Sequence, residues 1–430
     1  MATEHESPAG GAPWQLSNFS ALWWGQLISI LGERLTYLAL VGLLAEHTHH
    51  FQDARSSLLL TLLANVMLAP VLLFSPFTGA WVDRCNLKRV LIVSDLLRAG
   101  LVVLIPWLYR GSSSTFPVYV VVFGLFTCNV LFLPAKSAIL PEIVPRERLL
   151  AANAWLAGAG IAATAVGALA GGWVVDHWGW ANALFLNGGT YLWSVVALAL
   201  IAYRPALPTD PAPKMTWRRY LTEVGEGWAV VQRNRTVGLG LIALAAVWVA
   251  GGFLHVAGNQ HVQRAALIPG MERVGVLLSV LGAGSGLSTW WITRHGRGVP
   301  RAWLLGGGLV CAGLGLVVFA VTTRFAVFAG AAFVIGISAA PAFMLTETLL
   351  QESTEPRQRG RVFSARDFLM RLVFLVGVSA AGAVTRGFGT RATLLICAAS
   401  VALAGAVALV WARRPATTGP PDDFARLGTS

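Results

Sequence analysis

Long apolar runs separated by short charged turns decide what this chain can fold into. The turn Gly79-Ala-Trp-Val-Asp-Arg-Cys-Asn-Leu-Lys-Arg89 lies between apolar runs at 57–82 and 90–108. A helix of about 20 apolar residues spans a bilayer, whereas a turn this charged must lie in water at one membrane face. The turn therefore predicts two membrane-spanning helices that meet on one side of a bilayer. Asn86 is expected to take the left-handed conformation that such a tight turn needs.

The composition extends this prediction to the whole chain. Of the 430 residues, 56% are hydrophobic and 12% are charged, whereas soluble domains are roughly 25% charged. A globular core cannot hide that much apolar surface, so the predicted class is an all-α membrane protein. Twelve transmembrane helices are predicted, at 19–44, 57–82, 90–108, 118–140, 151–175, 181–202, 237–258, 274–293, 302–321, 325–350, 362–385 and 392–411.

A proline-rich linker divides the predicted helices into two six-helix bundles. The predicted organisation is an N-terminal half at 1–203, a linker at 204–235, a C-terminal half at 236–412 and a tail at 413–430. Four pairs of small residues recur at one spacing between the halves: Gly167 and Gly377, Ala170 and Ala380, Gly172 and Gly382, and Gly179 and Gly389. Parallel six-helix repeats around a midplane cavity are typical of transporters. The two bundles are therefore expected to be pseudo-symmetric.

The basic residues indicate an orientation rather than a nucleic-acid partner. The net charge is +12, but it is spread over many short loops, whereas a nucleic-acid surface gathers its charge in one patch. With the N-terminus inside, Lys and Arg are about threefold more frequent in cytoplasmic segments than in outer loops, so both termini are expected in the cytoplasm. Residues 1–17 have no basic start and no cleavage site of a signal peptide, and are expected to be a cytoplasmic tail.

Glu33 is the most unfavourable side chain within the predicted helices. A charge near the middle of a span costs roughly 2.5–3.5 kcal/mol on insertion scales. Other polar residues share its helical face, and this stripe should point into the bundle or into a wet cavity. The residues assigned to a proton-coupling or substrate site are Glu33, Gln26, Tyr37 and Arg34. The alternative is a structural ion pair of Glu33 with Arg34 or with another helix.

A second set of charged residues is predicted to form a cytoplasmic gate. Asp83 in the charged turn can face the N-terminus of another helix, and the helix that begins near Arg361 offers one. Lys136 either extends to the membrane interface or joins the gate. Two pairs are spaced to meet on a helix face, either structurally or within the gate: Asp95 with Arg98, and Asp367 with Arg371. The residues assigned to the gate are Gly79, Asp83, Arg84, Lys88, Arg89, Asp95, Arg98, Lys136, Arg361, Arg366 and Asp367.

Motifs of enzymes and of metal sites are not found in the sequence. It has no Walker loop, no HExxH and no GxSxG, so neither an enzyme nor a cofactor is expected. The stretch Glu46-His-Thr-His-His50 is interpreted as a short solvated loop rather than a metal site. The four cysteines are scattered, with no CxxC spacing and no disulfide framework. His255, Asn259, Gln260 and His261 remain candidates for a cavity lining.

Several of these motifs resemble a known family. The pattern Gly-x-x-x-Asp-Arg-x-Asn-x-Lys-Arg at 79–89 resembles the loop between helices two and three of the major facilitator superfamily, which prefers Gly where this chain has Asn86. The stretches 18–34, 133–141 and 360–364 are most similar to the bacterial branch of macrolide and siderophore exporters. That branch usually has an acidic residue near Glu33 and a basic one near Lys136. Two departures are Gly167-Ala168 in place of a Gly-Pro pair, and no clear counterpart of the helix-four Arg of many proton antiporters.

The resemblance implies secondary transport by alternating access. The expected activity is proton-coupled efflux of an amphiphilic, drug-like or siderophore-like small molecule by a monomer in the bacterial plasma membrane. Alternatives within transport are lysophospholipid flipping and solute uptake. An alternative of another class is a non-transporting membrane sensor or assembly partner. A transporter needs a polar, traversable cavity, whereas a scaffold can fill its centre with apolar side chains.

Overall fold

The structure is a computed structural model of the whole chain, and it describes residues 17–52, 55–82, 84–112, 114–203, 216–222, 225, 235–265, 270–354 and 359–413. Helices and short turns make up these residues, and none of them forms a strand. Asp83, which was assigned to the gate, lies outside them.

Eleven long helices follow one another along the described chain. They are α1 (Ser17–His47), α2 (Ser56–Val82), α3 (Leu87–Ser112), α4 (Phe116–Ile143), α5 (Leu149–Trp178), α6 (Trp180–Ala199), α7 (Arg235–Phe253), α8 (Met271–His295), α9 (Arg301–Val321), α10 (Phe325–Ser353) and α11 (Arg359–Arg413). After Phe253, α7 continues through a π-helical turn at Leu254–Gly258 into a short helix at Asn259–Ala265.

The hydropathy of these helices confirms the predicted membrane class. Ten stretches of the described residues are long and apolar enough to cross a membrane. The last of them, Val362–Val410, is not one straight helix, because α11 is interrupted at Gly389. The count of twelve transmembrane helices stays a prediction.

Two glycines reverse the chain at matching places. Gly179 ends α5 with φ 83° and ψ 155°, and Gly389 interrupts α11 with φ 79° and ψ 170°. This region of backbone space is almost closed to residues with a Cβ. The two positions form one of the pairs that the sequence repeat predicts, so the repeat has a backbone counterpart.

A second pair of the repeat marks close helix contacts. A Cβ at Gly167 would lie 3.0 Å from the Leu31 carbonyl oxygen, and one at Gly377 would lie 3.2 Å from the Val249 Cα. Gly167 thus lets α5 approach α1, and Gly377 lets α11 approach α7. Small residues at such crossings allow membrane helices to pack backbone to backbone.

The charged turn is built differently from the sequence prediction. Asn86 does not have a positive φ, since the non-glycine residues of the described chain that do are His49, His50 and Phe51. Asn86 instead caps α3: its side-chain oxygen accepts a hydrogen bond from the Arg89 backbone N–H at 3.1 Å. The prediction of a left-handed Asn86 is wrong because an N-cap satisfies the helix start with ordinary backbone angles.

Contacts between Cα atoms divide the chain into two compact units. The first contains residues 1–40 and 69–216, and the second contains residues 41–68 and 217–430. The end of α1 and the start of α2 therefore pack with the second unit. The division into halves at 203 and 236 stays a prediction.

A left-handed turn follows α1 within the second unit. His49, His50 and Phe51 have φ values of 48°, 56° and 64°, although each such residue costs about 1–2 kcal/mol. The Phe51 side chain is fully buried, and its carbonyl accepts hydrogen bonds from Nε and Nη2 of Arg264, at 2.8 and 2.5 Å. Burial of Phe51 and a charged donor thus hold the turn in place, while Glu46, His49 and His50 are exposed, in agreement with the short solvated loop that the sequence predicts.

The two chain-reversing glycines yield a stability prediction. Gly179→Ala and Gly389→Ala should each lower the free energy of unfolding by about 1–3 kcal/mol, because the cost is purely one of backbone angle. No atom lies within 4 Å of a Cβ at either site. Gly387→Ala is the matched control, since Gly387 has the same open surroundings without a positive φ. Thermal unfolding of the purified protein in detergent measures the difference, and equal midpoints for Gly387→Ala and Gly389→Ala would contradict it.

The contact of Arg264 with the left-handed turn yields a second prediction. Arg264→Gln should lower the free energy of unfolding by about 1.5 kcal/mol, because a charged donor to a buried carbonyl is lost. Arg324, exposed at the start of α10, provides the control Arg324→Gln. The readout is again the midpoint of thermal unfolding. An Arg264→Gln midpoint no lower than that of the control would mean that burial of Phe51 alone holds the turn.

Candidate functional site

A buried arginine lies between two carboxylates in the first unit. Asp95 and Arg98 are three residues apart on α3, so they share a face of the helix. The Arg98 guanidinium donates from Nη1 to Glu33 Oε1 on α1 at 2.9 Å, and from Nη2 to Asp95 Oδ1. The side chain of Arg98 is 1% exposed and that of Asp95 is 0% exposed. We call Glu33, Asp95 and Arg98 the charged triad.

Aromatic rings from two further helices enclose the Arg98 guanidinium. Its Cζ atom lies 4.3 Å from the ring centre of Phe132 on α4 and 4.6 Å from that of Tyr191 on α6. A guanidinium over a ring face is attracted electrostatically, and more so when it is desolvated. Four helices therefore hold one cation, which fixes the orientation of its donors toward Glu33 and Asp95.

Glu33 differs from Asp95 in its access to water. The Glu33 side chain is 29% exposed, whereas that of Asp95 is fully buried. With both carboxylates ionised, the charged triad has a net charge of −1, and protonation of one carboxylate makes it neutral. Glu33 is therefore the more accessible of the two carboxylates.

The polar stripe of α1 points into the protein, as predicted. Gln26, Ser29 and Thr36 are 2–4% exposed, and Tyr37 is half-buried. The Thr36 hydroxyl accepts a hydrogen bond from the Asn187 side chain of α6. The Thr36 side chain, three residues after Glu33, thus connects α1 to α6.

The structure shows which of two possible partners, Arg34 or a residue of another helix, pairs with Glu33. Its partner in the described part of the chain is Arg98, from another helix, and not the adjacent Arg34. Neighbouring residues of a helix point about 100° apart, so Arg34 lies on a different face. Its Cβ is instead next to the α5 crossing at Gly167.

Three of the predicted gate residues of the first unit lie near Glu33. Asp95 and Arg98 belong to the charged triad with Glu33. Lys136, one helical turn from Phe132 on α4, is half-buried and is close enough to Glu33 and Arg98 to interact with both charges. These residues therefore surround the coupling site that the sequence assigned to α1.

The charged turn holds four described gate residues, and one of them, Lys88, has a structural role there. Its Nζ donates to the carbonyl oxygens of Ala199 and Ile201 at 2.8 and 2.7 Å. These carbonyls are at the C-terminal end of α6, where a cation is favourable. Arg84 and Arg89 are exposed, and Gly79 is in the last turn of α2.

The remaining gate residues form an ion-pair network in the second unit. Arg366 donates from Nη1 to Glu347 on α10 and from Nη2 to Asp367 at 2.8 Å. Asp367 thus pairs with the adjacent Arg366 and not with Arg371 as the spacing suggested. The side chain of Arg361 lies outside the described residues.

Part of the predicted linker packs beside this network. Residues 217–222 are helical, and the Tyr220 ring is 5.7 Å from that of Phe368 in an edge-on arrangement. Burial raises the pKa of the Tyr220 phenol, Arg371 opposes this rise and Asp367 adds to it. The phenol therefore stays neutral at physiological pH.

Sequence reasoning missed the two rings that enclose Arg98. Phe132 and Tyr191 are aromatic residues within apolar helices, and no spacing connects them to α3 in the sequence. It also missed that Asp95 and Arg98 meet Glu33, because this depends on how α1 and α3 are rotated about their axes. The only signal was that three charges occur within apolar runs, where each needs a partner.

Comparisons with known proteins agree with this architecture. The family model of the Major Facilitator Superfamily matches residues 22–312 and, in an overlapping match, 273–428. Macrolide efflux protein A of Streptococcus pyogenes is 25% identical over 415 residues, which cover 90% of this chain and 95% of that protein. Multidrug resistance protein MdtG of Klebsiella pneumoniae is 22% identical over 358 residues, which cover 81% and 82%.

Solved structures show the same fold. A bacterial homologue of the human lysosomal transporter Spinster, in an inward-facing and occupied conformation, matches with a TM-score of 0.72 at 14% identity, over 96% of this chain and 100% of that one. A bacterial homologue of the iron transporter ferroportin matches with a TM-score of 0.69 at 16% identity, over 94% and 100%. These matches confirm the predicted fold class.

The charged triad yields a prediction for Arg98. Arg98→Gln should lower the free energy of unfolding by about 3–5 kcal/mol, because it leaves Asp95 buried without its cation. Arg110→Gln, at the exposed end of the same helix, should leave stability unchanged. Adding Asp95→Asn to Arg98→Gln should recover part of the loss in thermal unfolding. Strictly additive effects of the two substitutions would show that Asp95 and Arg98 are not coupled.

Proposed function

The chain belongs to the Major Facilitator Superfamily of transporters, and we propose that it exports an amphiphilic small molecule by alternating access in exchange for protons. The proposal extends to a bacterial plasma membrane with both chain termini in the cytoplasm. Similarity to macrolide efflux protein A and to MdtG along most of the chain supports export over uptake. The charged triad supports coupling to protons, and it is the observation on which the proposal rests.

Glu33 has the properties that a coupling carboxylate needs. It is partly exposed, while Asp95 is sealed from solvent, so a proton from water reaches Glu33 first. The Arg98 guanidinium donates to the Glu33 carboxylate oxygen at 2.9 Å and keeps it in one orientation. Protonation of Glu33 removes its charge and so weakens its hydrogen bond with a guanidinium that four helices hold. One proton can therefore change the contact between α1 and α3.

The same carboxylate can respond to substrate. With the charged triad at −1, a cationic group of a transported molecule and a proton compete for one negative charge. Such competition links release of a cation to uptake of a proton, which is the requirement of exchange transport. The nearby Lys136 limits how much positive charge the site accepts.

Gating at the charged turn is a further part of the proposal. The side chains of Arg84 and Arg89 are exposed, whereas the Lys88 ammonium is engaged at the end of α6. We assign Asp83, Arg84 and Arg89 to the gate. Lys88 is assigned to support of the turn.

The coupling role of Glu33 is tested by Glu33→Gln in proteoliposomes. The amide keeps an acceptor for Arg98 but cannot release a proton, so net efflux driven by a pH gradient should fall to the level of empty liposomes. Exchange of labelled for unlabelled substrate, which needs no net proton movement, should continue. Glu147→Gln, an exposed residue between α4 and α5, is the matched control and should behave as wild type.

The outcome also separates the alternatives. An unchanged pH dependence in Glu33→Gln would reject proton coupling through this residue. The substrate for the assay is found by growth of overexpressing and deletion strains on a panel of toxic compounds. Movement of labelled lysophospholipid or inward accumulation of solute would favour flipping or uptake instead. No transport of any kind would favour a sensor or an assembly partner.

A further inference from the structure

The second unit contains an apolar chamber of its own. The chamber has a volume of about 270 Å³, and its walls come from α7, α8, α9, α10 and α11. Every lining residue lies between Val247 and Val401, so the chamber is separate from the charged triad of the first unit. Its lining includes Trp248, Ser285 and Phe374.

The walls offer almost no polar surface to a ligand. Ser285 is the one hydroxyl residue among them, and no lining residue has a charge. The Ser285 hydroxyl is already engaged with the carbonyl oxygens of Leu281 and Gly336, at 3.1 and 3.0 Å. A buried water needs two to four polar partners, and a charged ligand group would lose its hydration without compensation. The walls therefore favour an uncharged, apolar occupant.

Three aromatic side chains form one side of the chamber. The Trp248 ring lies 5.8 Å from that of Phe374 at 90°, and 6.5 Å from that of Phe343. Phe343 is 47% exposed, so this side of the chamber reaches the surface of the unit. The Phe374 ring lies against α7, since a Cβ at Gly251 would be in ordinary contact with it at 3.5 Å. Aromatic faces of this kind bind flat apolar groups by edge-on or offset contacts.

We infer that this chamber is a binding site for an uncharged apolar group about the size of two fused aromatic rings. An apolar cavity of about 150 Å³ in another protein stays dry and binds benzene, and the chamber here is nearly twice as large. An apolar site with convergent aromatic walls is the usual form of a small-molecule pocket. Leu316 and Val401 also line the chamber, so such a group gains contacts with α9 and the end of α11 as well as with the aromatic side.

Two sources can supply this chemistry. One is the apolar end of a transported molecule, and this identification alone rests on the proposed function. The other is the acyl chain of a membrane lipid. Both predict the same walls and the same exclusion of charge, so the experiment has an arm for each.

Binding is tested with an uncharged naphthalene that carries a diazirine, photolysed with the purified full-length protein. Mass spectrometry should find the label on peptides that contain Trp248, Phe343 or Phe374. Ala339→Phe, which places a ring inside the chamber, should reduce that labelling roughly tenfold or more. Val334→Phe adds the same ring at a position of α10 that is 42% exposed and is not part of the lining. It should label as wild type.

Several results overturn the inference. If the label in the wild-type protein avoids these peptides, the inference is overturned and no variant is needed. If Ala339→Phe does not fold, Ala339→Leu takes its place, and its wild-type labelling at an unchanged unfolding midpoint would also overturn the site.

The source is decided by competition. Suppression of labelling by an exported compound, in lipid-free detergent, assigns the chamber to substrate. Suppression only on reconstitution into phosphatidylcholine vesicles assigns it to an acyl chain. A labelled chamber in a protein that exports nothing would keep the site and reject the proposed function. Export by a protein whose chamber is not labelled would reject the site and keep the proposed function.

Discussion

A guanidinium inside an apolar bundle must find all of its partners within the protein, and the first unit is arranged to meet this need for Arg98. The cation receives a carboxylate from α1, a carboxylate from its own helix, and ring faces from α4 and α6. Water cannot replace any of these at that depth, so the four helices are tied to one rotational arrangement. The charge that makes the site unfavourable in isolation is therefore what specifies its geometry.

The two carboxylates of the charged triad differ in exposure. Asp95 is fully buried beside Arg98, whereas the Glu33 side chain is 29% exposed. Asp95 and Glu33 both bind the Arg98 guanidinium, but only Glu33 is accessible. The first unit thus concentrates charge, while the chamber of the second unit contains none. The two units offer different chemistry to a molecule with a polar and an apolar end.

Backbone constraints repeat where the side-chain chemistry does not. Gly179 and Gly389 make the same reversal, and Gly167 and Gly377 permit the same kind of close helix crossing. Neither the charged triad nor the aromatic side of the chamber has an evident counterpart in the other half of the sequence. Duplicated geometry with divergent side chains is what is expected when a scaffold is kept while its binding chemistry changes.

The sequence by itself determined the apolar helices and the membrane class, because hydropathy over about 20 residues is a local property. Its spacing paired Gly179 with Gly389, but their positive φ values came from the structure. The sequence also placed Glu33 on a polar stripe, since helical periodicity is local. Only the tertiary structure decided that Arg98 meets Glu33, that Lys88 caps α6 instead of standing free, and that Asp367 pairs with Arg366. Each of these depends on the rotation and approach of helices or on a choice among rotamers. The same sequence spacing allows several such arrangements, and packing selects one.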